Sequence, residues 1–73
     1  MTVFDLKEGD AARITSVNAV GSEGARLAAL GLKEGAVIRV IAFSLFKSAQ
    51  LVALGPVRLS MRATLAKRIE VKL

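Results

Sequence analysis

The sequence contains no cysteine and no histidine among its 73 residues. Without cysteine there is no disulfide and no thiolate ligand, so apolar packing alone has to hold the fold together. The two absences also remove the usual nucleophile, the usual general base and the usual zinc ligands. No Gly-x-x-x-x-Gly-Lys phosphate loop is present. We therefore expect no enzyme, no small-molecule substrate, no cofactor, no catalytic residue and no dedicated metal site.

Tryptophan and tyrosine are absent as well, and the only aromatic residues are three phenylalanines. Proteins that bind single-stranded nucleic acid or proline-rich peptides rely on several exposed aromatic side chains, so neither activity is favoured. The hydrophobic fraction is nevertheless 53%, and nearly all of it is aliphatic. An aliphatic excess in so short a chain predicts a packed core together with some exposed apolar side chains, which are candidate contact sites.

Long hydrophobic runs and targeting segments are also missing. The most apolar stretch, Ala36 to Phe46, contains Arg39 and Ser44 and is much shorter than the roughly 20 residues that a membrane span needs. The first ten residues include three acidic ones, which a signal peptide would not carry. These features predict a cytoplasmic protein.

Basic residues outnumber acidic ones, 11 to 6, which gives a formal net charge of +5. The charges are scattered, so a solvated basic surface explains them as well as attraction to nucleic acid, an acidic protein or anionic lipid. Arg39 and Arg58 are expected to project outward from strands, where they are candidate partner contacts. Glu8 and Asp10 flank Gly9 and could form a weak cation site, but a turn is the favoured interpretation.

Five short apolar segments with turn signals between them predict an all-β domain. The predicted strands are 11–17, 36–43, 49–54, 57–61 and 68–73. A helix is expected over 22–30, between the first two strands, and a single helical turn over 63–67, before the last strand. Because five short strands are best protected by closing on themselves, we expect a small SH3-like barrel, with one domain covering residues 1–73.

The predicted helix has recognisable ends. Ser22 is expected to cap its start, and Gly31 to end it in a left-handed conformation. Leu27 and Leu30 lie three residues apart and are expected to face the core, with Leu32 folding back onto the helix.

The segment between the second and third strands is a predicted loop that carries apolar side chains, although loops usually lie at the surface. The loop either folds over an open end of the barrel, which would bury these side chains, or exposes them as an anchor for a partner protein or a weak homo-oligomer. The candidate partner-binding residues are Phe43, Leu45, Phe46, Lys47, Arg39 and Arg58.

The order of features along the chain resembles the family of ferrous iron transport protein A, the FeoA domain. The strongest match is Arg26-Leu27-Ala28-Ala29-Leu30-Gly31-Leu32 followed by Gly35. The matching residues nearer the two termini are Leu6, Gly9, Ala12 and Ile14 in the opening, and Leu59, Arg62, Ala66, Ile69 and Val71 in the closing part. The family's loop between strands two and three is usually polar, whereas here it is apolar.

The resemblance implies a non-catalytic SH3-like barrel that assists ferrous iron uptake. Such a protein would bind the cytoplasmic side of a FeoB-type membrane GTP-binding iron transporter, and would reach the inner membrane face only through that partner. The same domain also occurs as the C-terminal module of iron-dependent repressors. A repressor module is therefore one alternative, and the net charge of +5 keeps a small basic nucleic-acid-binding barrel as another.

Overall fold

Five antiparallel strands form one sheet in the computed structural model, which describes residues 1–73. The strands are β1 (Ala11–Val17), β2 (Val37–Phe43), β3 (Ala49–Leu54), β4 (Val57–Arg62) and β5 (Ile69–Lys72). The helices are α1 (Gly21–Ala29) and α2 (Ala63–Ala66), and 3-10 turns occupy Val3–Asp5 and Leu45–Lys47. The prediction of an all-β fold with one helix after β1 and one helical turn before β5 is confirmed. Neither helix has the length and apolar character that crossing a membrane requires.

The strands are ordered β4-β3-β2-β1-β5 across the sheet. Register shifts interrupt β1 between Ile14 and Ser16, and β2 between Val40 and Ala42. Such bulges bend a strand and increase its twist. The bend lets β1 pair with β2 through its first residues and with β5 through its last ones, so that the sheet curls around its buried face.

The buried face of the sheet is aliphatic. Ala12 and Ile14 of β1 point inward, while Arg13 and Thr15 point to solvent, which is the alternation expected of a strand with one buried face. The 14 residues of the core are Val3, Leu6, Ala12, Ile14, Leu27, Leu32, Ile38, Val40, Val52, Leu54, Met61, Ala66, Ile69 and Val71. No phenylalanine is among them, so methyl and methylene contacts provide the packing.

The N-terminal segment covers the outer edge of β5. The Val71 amide donates to the Met1 carbonyl over 2.8 Å, and Thr2 pairs with Glu70. The fully buried Gln50 side chain donates from Nε2 to the Val3 carbonyl over 3.0 Å. An unpaired strand edge invites pairing with other chains. The N-terminal segment protects the edge of β5 in this way, and the edge of β4 is left exposed.

Helix α1 ends as predicted but does not begin as predicted. Gly31 is left-handed, with φ of 101°, and the amides of Gly31 and Leu32 donate to the carbonyls of Ala28 and Leu27 over 3.0 Å each. This pair of hydrogen bonds is the Schellman motif. In this motif the residue after the glycine, here Leu32, packs against the residue three before the cap, here Leu27. Leu27 and Leu32 are therefore both buried.

Two expectations for this helix are wrong. Leu30 is 46% exposed, because the apolar contact of the Schellman motif is made by Leu27 and Leu32 instead. Ser22 does not cap the helix, because the helix begins one residue earlier and Val20 occupies the cap position without any side-chain hydrogen bond.

Gly24 lies where helix α1 touches the preceding chain. A Cβ atom at this position would lie 2.7 Å from the Ala19 carbonyl oxygen. A glycine-to-alanine change inside a helix normally stabilises by about 1 kcal/mol. Here we expect Gly24→Ala to destabilise the protein by about 1–3 kcal/mol, because the helix has to move.

Urea denaturation of the Gly24→Ala variant checks this expectation. Ser22→Ala, on the exposed first turn, is the matched control and should change the free energy of unfolding by less than about 0.5 kcal/mol. A Gly24→Ala protein that is more stable than the parent would contradict the proposed contact.

The carboxylate of Asp5 holds the N-terminal turn. Its Oδ2 accepts the Thr2 amide over 2.8 Å and the Thr2 hydroxyl over 3.3 Å. The pKa of Asp5 is lowered, chiefly by the hydrogen bond from the Thr2 amide, which favours the charged form over the protonated one.

We expect the N-terminal turn to lose this anchor in acid. A depressed carboxylate pKa means that the interaction is fully present above the ordinary pKa of aspartate and is lost as the pH falls through the lowered value. An NMR titration should show the Asp5 carboxyl and the Thr2 amide moving together at a midpoint below that of Asp5 in an unstructured peptide of residues 1–10. Equal midpoints, or an unchanged Thr2 titration in Asp5→Asn, would contradict the assignment.

Candidate partner-binding surface

The loop between β2 and β3 presents two apolar side chains to solvent. Leu45 is 79% exposed and Phe46 is 92% exposed. Phe43 is only partly exposed and packs against the core. Phe43 therefore packs against the barrel, as expected if the segment folds over its open end. Leu45 and Phe46 are exposed, as expected of an anchor for a partner.

A set of serine hydrogen bonds fixes the loop. The Ser44 amide donates to the Ala49 carbonyl over 2.9 Å, and the Ala49 amide donates back to Ser44 Oγ over 2.8 Å. The Lys47 amide donates to the Ser44 carbonyl over 2.9 Å, and Ser48 Oγ donates to the Leu45 carbonyl over 3.3 Å. The two exposed apolar residues thus stand on a defined turn that is closed at its base.

The tip of this loop is conformationally strained. Phe46 has φ of 61° and Lys47 has φ of 57°, in the left-handed region that costs a residue with a side chain about 1–2 kcal/mol. Phe46 gains almost no burial in return, since 92% of it is exposed. Because strained backbone of this kind clusters at functional sites, the loop tip is a candidate contact site.

Lys47 ties the loop to the N-terminal turn. Its Nζ lies 4.4 Å from the centre of the Phe4 ring and 4.8 Å from the centre of the Phe43 ring, and it donates to the Phe4 carbonyl over 3.3 Å. Lys67 Nζ lies 4.7 Å from the centre of the same Phe4 ring. Lys47 therefore supports the loop by cation–π contacts. Sequence patterns do not reveal the contact between Lys47 and Phe4, because the two residues are far apart along the chain.

Arg39 and Arg58 lie in one row on the solvent face of the sheet, on either side of Ala53. Arg39 Nη1 donates to the Gly9 carbonyl over 2.6 Å. The loop begins at the other end of β3, about 13 Å along the strand from this row. The six predicted contact residues consequently form two groups, one at each end of β3.

Glu8 and Asp10 lie in the turn before β1. The Lys7 amide donates to Asp10 Oδ2 over 2.9 Å, and Gly9 is left-handed with φ of 88°. The Asp10 carboxylate thus closes the turn, in agreement with the favoured interpretation. The structure holds no group of three or more carboxylate, imidazole or thiol side chains with the spacing of a metal site.

The strain at Phe46 makes a testable prediction. Phe46→Gly should raise the free energy of unfolding by about 1 kcal/mol, because glycine adopts the left-handed conformation without a steric penalty and little burial is lost. Chemical denaturation of the parent and the variant measures the change. Leu45→Gly, at a position with ordinary backbone angles in the same loop, should show no such gain. A clear loss of stability in Phe46→Gly would refute the strain.

The curled sheet and its connections define the protein as an SH3-like barrel, and its sequence places it among known relatives. The FeoA domain model matches residues 1–73, so the chain belongs to the FeoA family of ferrous iron transport. No curated protein matches the sequence significantly.

Solved structures agree with this assignment. The FeoA protein of Chlorobium tepidum is 36% identical, with a TM-score of 0.91 over 100% of this chain and 70% of that one. The FeoA of Stenotrophomonas maltophilia, an SH3 domain protein solved with zinc, is 29% identical, with a TM-score of 0.82 over 99% of this chain and 89% of that one. A manganese-dependent transcriptional repressor shares the fold at 19% identity, with a TM-score of 0.83 over 99% of this chain and 35% of that one.

Proposed function

We propose that the protein is a non-catalytic accessory protein of ferrous iron uptake that binds the cytoplasmic side of a FeoB-type membrane transporter. The observation that carries the proposal is the FeoA match over residues 1–73. The Stenotrophomonas maltophilia relative has been put forward as a ferrous iron transport activating factor, which supports the same role. On this proposal the protein works in the cytoplasm as a single domain and meets the membrane only through the transporter.

The loop between β2 and β3 is the proposed contact surface. Phe46 and Leu45 are exposed on a turn that serine hydrogen bonds and Lys47 hold in place. Such a turn loses little conformational freedom on binding, so most of the apolar contact energy contributes to affinity. Exposed aromatic anchors of this kind commonly dominate an interface.

The exposure of the aromatic residues disfavours nucleic acid as the partner. Only Phe46 is fully presented to solvent, while Phe4 and Phe43 are half-buried beneath Lys47. A single exposed ring is a poor stacking platform for bases. The likeness to the repressor is a likeness of fold at 19% identity and does not favour a regulatory role.

The proposal is tested by binding of the purified protein to the full-length FeoB-type transporter of the same cell, and to its GTP-binding domain alone. Phe46→Ser should weaken binding tenfold or more, equivalent to about 1.4 kcal/mol. Leu73→Ser is the matched control, because Leu73 is also 73% exposed and lies away from the loop, at the C-terminus. It should leave the affinity unchanged.

Binding of the protein to a labelled DNA duplex, measured separately at two salt concentrations, tests the alternative nucleic-acid-binding function. Transporter binding that both serine variants leave unchanged would remove the loop as the contact surface. Tight DNA binding that falls steeply with salt, without transporter binding, would overturn the adaptor proposal in favour of a nucleic-acid-binding one.

A further inference from the structure

The exposed edge of β4 offers main-chain hydrogen-bonding groups. The β3–β4 hairpin turns through two residues, Gly55 and Pro56, and pairs Leu54 with Val57. In such a hairpin the closing pair is hydrogen-bonded, and bonded and non-bonded pairs then alternate along the ladder. The amides and carbonyls of Arg58, Ser60 and Arg62 therefore point away from β3. No other strand of the sheet pairs with them.

A groove runs between this edge and helix α1. It has a volume of about 400 Å³, with Ser60 and Arg62 on the strand side and Arg26 on the helix side. Leu65, which is half-buried, contributes an apolar patch to the lining. The groove thus combines an unpaired strand edge with a facing wall.

The groove is basic. Its lining includes three arginines, Arg26, Arg62 and Arg68, and a single carboxylate, Glu23. Arg68 forms an ion pair with Glu23 and also donates from Nε to the Asn18 carbonyl over 3.0 Å, which ties α1 to the barrel. Arg26 and Arg62 have no acidic partner in the structure. In addition, the sequence has no acidic residue from Gly35 through Ile69.

We infer that this groove takes an extended, acidic segment of a partner protein, which adds to β4 as a sixth strand. The edge groups of Arg58, Ser60 and Arg62 would complete the ladder with the segment, as in other strand-addition complexes. Its carboxylates would meet the guanidinium groups of Arg26 and Arg62, which suit bidentate pairing. The inference goes beyond the proposed transporter role, because it concerns a second surface and does not depend on which protein supplies the segment.

Charge disfavours a second copy of this chain as the added antiparallel strand. An antiparallel pairing of β4 with itself centred on Ser60 places Arg58 opposite Arg62 of the other copy, twice. Shifting the register by two residues in either direction places each arginine opposite or diagonal to another. Like charges directly opposite on a sheet are destabilising, so the arginines both protect the edge and select an acidic partner.

The probe for the test is a fluorescein-labelled ten-residue peptide that alternates valine with glutamate, titrated against the whole protein by fluorescence anisotropy. The same peptide with lysine in place of glutamate should bind at least tenfold more weakly. The double variant Arg26→Glu/Arg62→Glu should weaken binding of the acidic peptide tenfold or more. The control Lys7→Glu/Lys33→Glu makes the same change in net charge at exposed residues outside the groove and should change binding less than twofold.

NMR identifies the surface independently of the charge changes. On addition of the acidic peptide, the amides of Arg58, Ser60 and Arg62 should show the largest shifts and the greatest slowing of hydrogen exchange. Should the glutamate variant fail to fold, Arg26→Gln/Arg62→Gln serves in its place, with Lys7→Gln/Lys33→Gln as its control.

Three outcomes would overturn the inference. The first is equal weakening by the groove variant and its control, which would show general charge attraction. The second is a set of shifted amides outside β4. The third is tighter binding of anionic vesicles or a DNA duplex at these residues than of the acidic peptide.

Discussion

The sheet encloses its 14 core residues only because two of its strands bend. A chain of this length with neither disulfides nor large aromatic core residues depends on aliphatic contacts, and a flat sheet would leave many of those side chains in water. The bulges in β1 and β2 supply the bend, which lets β1 pair with both β2 and β5. The N-terminal turn then covers the edge of β5, and the strand order leaves the edge of β4 free.

The β2–β3 loop and the N-terminal turn stabilise one another through a single cation. Lys47 packs against the rings of Phe4 and Phe43 and hydrogen-bonds to the main chain of Phe4. Two of the three phenylalanines are thereby used for support, and the third, Phe46, stands free on left-handed backbone. The division explains how so small a domain can carry an exposed aromatic side chain on a turn that its own hydrogen bonds hold in place.

Local sequence signals predicted the local structure well. Alternation in β1, the apolar segments of the other strands and Gly31 at the helix end gave the elements to within a residue or two, because each depends on neighbours in the chain. The exposure of Leu30 followed from the geometry of the helix end, which spacing alone does not reveal. The separation of Arg39 and Arg58 from the loop, and the pairing of Arg68 with Glu23 across 45 residues, depend on strand register and packing, which single-sequence patterns do not encode.

The hydrogen bond from Gln50 to Val3 has a consequence for the order of folding. Its two residues are 47 positions apart, and the Gln50 side chain reaches the Val3 carbonyl only once β3 is paired in its native register with both neighbours. Bringing distant residues together is entropically costly until the intervening chain is ordered. The N-terminal turn is thus among the last parts of the barrel to reach its native position, and that side of the barrel stays open until β3 has paired with its two neighbours.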